Sequence, residues 1–154
     1  MDKILGGLVI INGTDIWKEF GAFLTEEKKG GRENLTAILS PSKTKTHTAV
    51  DIREENGEKH SAQLIVSNQA RDVTLHFALY AESRNEWLRK YQAFINFLKE
   101  GSDGWLNIKF TELSMTLRVF YLDSSNFKPL TYIWKEGKHA SRFKVKFREP
   151  NPIL

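Results

Sequence analysis

The chain has 154 residues, 40% of them hydrophobic and 27% charged, which excludes a largely disordered protein and predicts a single domain over residues 1–154. Because it contains no cysteine, disulfide scaffolds, cysteine-ligated zinc sites, iron–sulfur clusters and thiol nucleophiles are excluded. The net charge of +4 lies wholly in residues 135–154, since residues 1–134 carry 17 charges of each sign, so a diffuse basic surface is disfavoured.

The N-terminal part predicts a β-hairpin. Asn12-Gly13 separates two apolar segments, 8–11 and 14–17, and Asn-Gly suits a two-residue type I′ turn because both residues tolerate a positive φ. The apolar run before it is too short for the core of a signal peptide, and no stretch reaches the ~20 apolar residues of a bilayer span. We therefore expect no membrane partner and synthesis in a cytoplasm.

Two polar stretches interrupt the apolar pattern. Residues 25–34 and 40–48 are predicted to be exposed loops, the second with Pro41 as its one apolar residue. Asn56-Gly57 then predicts a second hairpin, between 49–53 and 59–66.

One segment has a strong helical pattern, from about residue 84 to residue 100. Ser83 and Glu86 fit a capping box, which marks the beginning of a helix. Gly101 follows where a left-handed C-terminal cap is common. Apolar residues recur at helical spacing between them: Trp87, Leu88, Tyr91, Phe94, Ile95 and Leu98. This wide stripe has to pack on another apolar surface.

The remaining apolar residues alternate with polar ones, which is typical of half-buried strands. The alternation covers residues 73–80, 105–110, 115–122 and 142–148. The order of strands, one helix and further strands predicts an α+β fold. We expect a mostly antiparallel β-sandwich or split barrel with a single helix packed on it.

The sequence lacks the patterns that indicate catalysis or cofactor binding. Its histidines, His47, His60, His76 and His139, show no helical metal-pair spacing, and there is no nucleophile elbow or phosphate-binding loop. Glu54-Glu55 flanks a predicted turn that faces water, which is a poor setting for a catalytic acid. We therefore expect no enzyme activity, no metal and no cofactor.

The last predicted strand carries the excess positive charge. Arg142, Lys144, Lys146 and Arg148 alternate with Phe143, Val145 and Phe147, so cations and aromatic rings occupy opposite faces. Three interpretations fit: a solvated strand whose charges discourage edge aggregation, a nucleic-acid contact, or a contact with an acidic neighbour in an assembly. Nucleic acid is the less favoured partner, because stacking rings would need to share the charged face. Lys43 and Lys45 are further candidate interaction residues.

The order of these elements resembles the distal tail and tail-tube proteins of long-tailed phages. Residues 8–16, with Asn12-Gly13, are similar to the opening of distal tail proteins. Residues 75–87, followed by the apolar helix, are similar to the strand that leads into the single helix of that family. Residues 142–152 resemble its final strand and proline stop.

The resemblance implies a structural protein of a phage or prophage tail, located in the virion tail. Its subunits would form a homo-oligomeric ring, six-fold in the family, that binds the tube above and the hub or receptor-binding apparatus below. A distal baseplate adaptor and a tail-tube subunit are both compatible with it. Many distal tail proteins carry a second, carbohydrate-binding-like domain, and the sequence ends at Leu154. Contact with the host surface would therefore need another protein. The alternative is a module that binds nucleic acid or an acidic partner through its C-terminal strand.

Overall fold

The computed structural model describes residues 2–154, with side chains from Ile4 onward. Its strands are β1 (Val9–Ile11), β2 (Thr14–Asp15), β3 (Ala22–Leu24), β4 (Ala49–Val50), β5 (Lys59–His60), β6 (Arg71–Ala81), β7 (Trp105–Phe110), β8 (Met115–Pro129) and β9 (His139–Glu149). Its α-helices are α1 (Asp2–Leu5), α2 (Ile16–Phe20), α3 (Glu33–Leu39) and α4 (Arg84–Glu100). None of the helices in this described part is long and apolar enough to cross a membrane.

A seven-stranded antiparallel sheet dominates the fold, in the order β2-β1-β7-β8-β9-β6-β3. β6 and β9 pair along their whole length, from Arg71 opposite Glu149 to Ala81 opposite His139. β9 also pairs with β8 on its other side, so it lies inside the sheet. The predicted α+β class, with a mostly antiparallel sheet and one main helix, is confirmed.

The main helix α4 has the predicted bounds. The Ser83 hydroxyl accepts a hydrogen bond from the Glu86 N–H at 3.2 Å, as a capping box requires. Gly101 follows with a φ of 52°, although its ψ of −150° lies outside the left-handed helical region. Phe94 is fully buried, with its ring centroid 5.5 Å from that of Phe77 on β6. Trp87, Phe94 and Leu98 of the apolar stripe are buried in the core, whereas Leu88, at the edge of the stripe, is exposed.

Three shorter helices lie outside the prediction of a single helix. They span four, five and seven residues, which is too short for a helical apolar period to be recognised. α2 is defined by its ends instead: the Asp15 carboxylate accepts from the Trp17 N–H at 3.1 Å, and Gly21 follows with a φ of 65°. A Cβ at Gly21 would lie 2.3 Å from the Tyr80 carbonyl oxygen, so this close approach to β6 requires glycine.

The two Asn-Gly sites behave differently. Asn12 and Gly13 both have a positive φ, 51° and 80°, and join β1 to β2 as predicted. The second hairpin also forms, with Ala49 opposite His60, but residues 51–58 make its loop. Of Asn56 and Gly57, Gly57 alone has a positive φ. The type I′ turn that Asn-Gly favours does not form there, and both strands are shorter than predicted: β4 ends at Val50 and β5 at His60.

Residues 40–70 form one excursion from the sheet, which we call the arm. Thr44 forms an antiparallel β-bridge with Asn68, and the Lys45 N–H donates to the Ser67 carbonyl at 2.7 Å. The β4–β5 hairpin lies between these two paired segments of the chain. Residues 40–48 are largely exposed, as predicted, but they are paired with residues 67–69 and do not form an isolated loop.

A buried ion pair holds the arm to the sheet. The Arg71 Nε donates to Glu149 Oε1 at 2.8 Å, and these side chains are 8% and 1% exposed. The same guanidinium donates to the carbonyls of Ile38 and Ser40, where α3 ends and the arm begins. Arg71 therefore joins β6, β9 and the base of the arm.

Candidate interaction surface

The four cations of the last strand share one face of β9, as the alternation predicted. Their side chains are partly exposed, whereas Phe143, Val145 and Phe147 are buried in the core. We call this surface the basic face; it consists of Arg142, Lys144, Lys146 and Arg148. Because β9 lies between β6 and β8, these charges do not protect a sheet edge. The edge-protection interpretation of the basic strand is therefore wrong.

Neighbouring groups engage part of the basic face. Arg148 forms an ion pair with Asp72 on β6 at 3.0 Å. Arg142 donates to the backbone carbonyl of Glu27 at 3.2 Å, and Lys144 lies 3.9 Å from the Glu27 carboxylate. These contacts hold the segment that contains Glu27 against the outer surface of the sheet.

Lys43 and Lys45 lie on the arm and not on the basic face. Both residues are exposed, and both contribute backbone groups to the pairing with residues 67–69. The six candidate residues therefore fall into two groups on different segments, and their role as an interaction site stays a prediction.

A cleft at one end of the basic face is lined by further cations, which the sequence pattern did not identify. It has a volume of about 300 Å³ and lies between residues 25–28 and strands β6, β8 and β9. We call it the basic cleft; its ionisable lining residues are Glu26, Glu27, Lys28, His76, Lys128, Arg142 and Lys144. Lys28 and Lys128 lie near Arg142 only because of the fold, since neither belongs to the alternating pattern of the last strand.

The cations of the cleft affect the pKa of His76, which is opposite Lys144 in the β6–β9 register. Burial and, next, the positive charge of Lys144 lower the pKa of His76, with a smaller contribution from Arg142; Glu27 and Glu33 oppose the shift. The histidine therefore favours its neutral form.

Lys144→Gln is expected to raise the pKa of His76, because it removes a nearby positive charge and leaves Glu27 without its partner. Titration of the imidazole ring protons by NMR measures this shift. Lys146→Gln is the matched control, since Lys146 is opposite Thr74 and should leave the pKa of His76 nearly unchanged. An unchanged or lowered pKa in Lys144→Gln would contradict the assigned cause.

A second concavity, of about 230 Å³, is apolar. Leu8, Phe23, Leu35, Ile38 and Phe110 are among its lining residues, and it opens beside β1, β3 and α3. Within residues 4–154, no three histidine, aspartate or glutamate side chains are placed to hold a metal ion.

Several large apolar side chains are exposed, and two groups of them include the most exposed tryptophan and a consecutive aliphatic run. On the arm they are consecutive, Leu64, Ile65 and Val66, with Ile65 74% exposed. In the loop between β8 and β9, Tyr132 and Trp134 are exposed, Trp134 at 76%. Arg84 donates to the Trp134 carbonyl at 3.1 Å and contacts Glu136, so α4 holds this loop in place. Exposed apolar groups of this kind are typical of protein contacts.

No family model and no curated protein matches the sequence. Among solved structures, the chain is similar to the Dit protein of phage SPP1, described as a paradigm of the hub adsorption apparatus in phages that infect Gram-positive bacteria. The TM-score is 0.54 and the sequence identity 14%; the match covers 94% of this chain and 52% of Dit. The chain thus spans about half the length of that protein. Over almost all of its own length, its fold is similar to that of the matched half of Dit.

Proposed function

We propose that this chain is a structural component of a phage or prophage tail, with no catalytic activity, and that residues 1–154 act as one domain. The observation that carries the proposal is the fold likeness to SPP1 Dit over 94% of the chain. Because a fold alone does not define a function, the surface of the chain must also be consistent with a structural role. Exposed apolar side chains, which neighbouring subunits could cover, are consistent with a structural subunit.

The chain acts as the subunit of a ring, which we propose to be six-fold, at the distal tail and baseplate or in the tail tube. A ring requires a heterologous contact, in which two different patches of the same chain meet. The exposed aliphatic residues 64–66 of the arm are one such patch, and a neighbouring subunit would cover them. The subunit would be made in the bacterial host and reside in the virion tail.

The basic face and the arm lysines Lys43 and Lys45 are proposed as contacts with other tail or baseplate proteins. These side chains are positively charged and at least partly exposed. On β9, which is an internal strand, alternate side chains are held about 7 Å apart. Such patterned charge favours correct partners and fast association.

Solution mass tests the ring proposal. Light scattering on the purified chain over a range of concentrations is expected to give a closed oligomer. Ile65→Asp should shift it to monomer, because it places a charge in the proposed contact. Thr46→Asp is the matched control, since it adds the same charge at an exposed polar position of the same arm and should leave the mass unchanged.

Two outcomes would contradict this account of assembly. A strict monomer at every concentration would remove the ring. An oligomer that Ile65→Asp and Thr46→Asp weaken equally would show that residues 64–66 are not the subunit contact.

A further inference from the structure

The basic cleft concentrates positive charge in a way that the fold does not require. Lys128 on β8 is directly opposite Arg142 on β9, and Lys144 is directly opposite His76 on β6. Lys128 and Arg142 are like charges in opposite positions, which destabilises a sheet, whereas His76 favours its neutral form. With Lys28 beside them, four permanent cations therefore surround one cleft of about 300 Å³.

A β-bulge directs β8 toward this cleft. The register between β8 and β9 shifts between Ser125 and Lys128, and Asn126 adopts a positive φ of 53° there. Asn126 and Lys128 line the cleft, whereas the ring of Phe127 packs 5.5 Å from that of Tyr91 on α4. Bulges commonly re-aim side chains at functional sites, and this one places an amide and an ammonium group at the cleft.

The acidic residues of the cleft leave its cations only partly engaged. The Glu26 carboxylate accepts from the Glu33 N–H at 2.8 Å, at the beginning of α3. Glu27 is half-exposed, and its 3.9 Å separation from Lys144 is long for an ion pair. Arg142 is held by the carbonyls of Glu26 and Glu27, which fixes its guanidinium group without neutralising it.

We propose that the basic cleft is a binding site for the carboxylate side chains of an acidic segment of a partner protein. This inference deepens the proposed function, because it assigns a partner chemistry to one part of the basic face. Ammonium, guanidinium and amide donors around a small cleft suit one or two carboxylates. A single-stranded nucleic acid would need exposed aromatic rings for stacking, but the one phenyl ring in the lining, Phe143, is buried in the core.

The test is calorimetric binding of a hexaglutamate peptide to the purified chain at about 50 mM salt. Lys128→Gln and Lys144→Gln are each expected to weaken binding about tenfold, because each removes a charge-assisted contact. Lys109→Gln is the matched control: it removes one positive charge from an exposed strand residue that lies outside the cleft and the basic face, and it should change binding by less than about twofold. The peptide should also raise the pKa of His76, since it brings negative charge into the cleft.

Equal weakening by all three variants would overturn the inference, because it would indicate attraction to net charge alone. So would absence of peptide binding, or tighter cleft-dependent binding of an oligodeoxythymidine strand. Lys128 is exposed, so loss of binding in Lys128→Gln cannot be attributed to unfolding. A ring that fails to bind the peptide would refute the cleft proposal alone, whereas a monomer that binds it through the cleft would refute the ring alone.

Discussion

Phe94→Ala is expected to lower the free energy of unfolding by about 3–5 kcal/mol, the range for truncating a buried phenylalanine. Phe94 is fully buried at the centre of an aromatic cluster, where its ring lies 5.4 Å from Phe20, 5.5 Å from Phe77 and 6.1 Å from Phe143. Alanine would leave a cavity where α2, α4, β6 and β9 meet. Equilibrium unfolding in urea measures the change.

Leu88→Ala is the control for this effect. Leu88 lies on the same helix but is exposed, so its truncation should cost less than about 1 kcal/mol. Comparable losses for the two variants, or a near-zero effect of Phe94→Ala, would contradict the packing of α4 on the sheet.

Arg71→Met is expected to destabilise the protein by about 3–5 kcal/mol, because it leaves the Glu149 carboxylate buried without its partner. It also removes the donors that hold the carbonyls of Ile38 and Ser40. The double variant Arg71→Met/Glu149→Met should recover part of this loss, since it removes the uncompensated charge as well. Chemical denaturation of the single and double variants measures both values.

An exposed ion pair provides the comparison. Arg84→Met breaks the contact between Arg84 and Glu136, where solvent already screens the charges, and should cost less than about 1 kcal/mol. If Arg71→Met were no more destabilising than Arg84→Met, or if the double variant were worse than Arg71→Met alone, the buried pair would not have the role assigned to it.

The elements that could be predicted from the sequence are those with local causes. The bounds of α4 follow from a cap at Ser83 and an apolar period that continues to Leu98. The long strands follow from a period of two, and the first hairpin from Asn12-Gly13. Each of these signals is contained in a short stretch of chain, so no tertiary information is needed to read it.

Features that depend on distant residues could not be predicted in the same way. Arg71 and Glu149 are 78 positions apart, and nothing in either local sequence indicates that they pair. The basic cleft depends on the strand order, which places Lys128 opposite Arg142, and on the β8 bulge. The basic face itself was predicted, but its position inside the sheet requires the topology, and so does the pairing of the arm.

Imaging of the assembled protein is the most direct test of the structural role. Class averages from electron cryo-microscopy of the purified oligomer are expected to show closed rings with rotational symmetry and a central opening, with the arm of each subunit on its neighbour. Two-fold dimers without an opening, or single unassembled chains at the highest concentration, would contradict a tail-ring subunit.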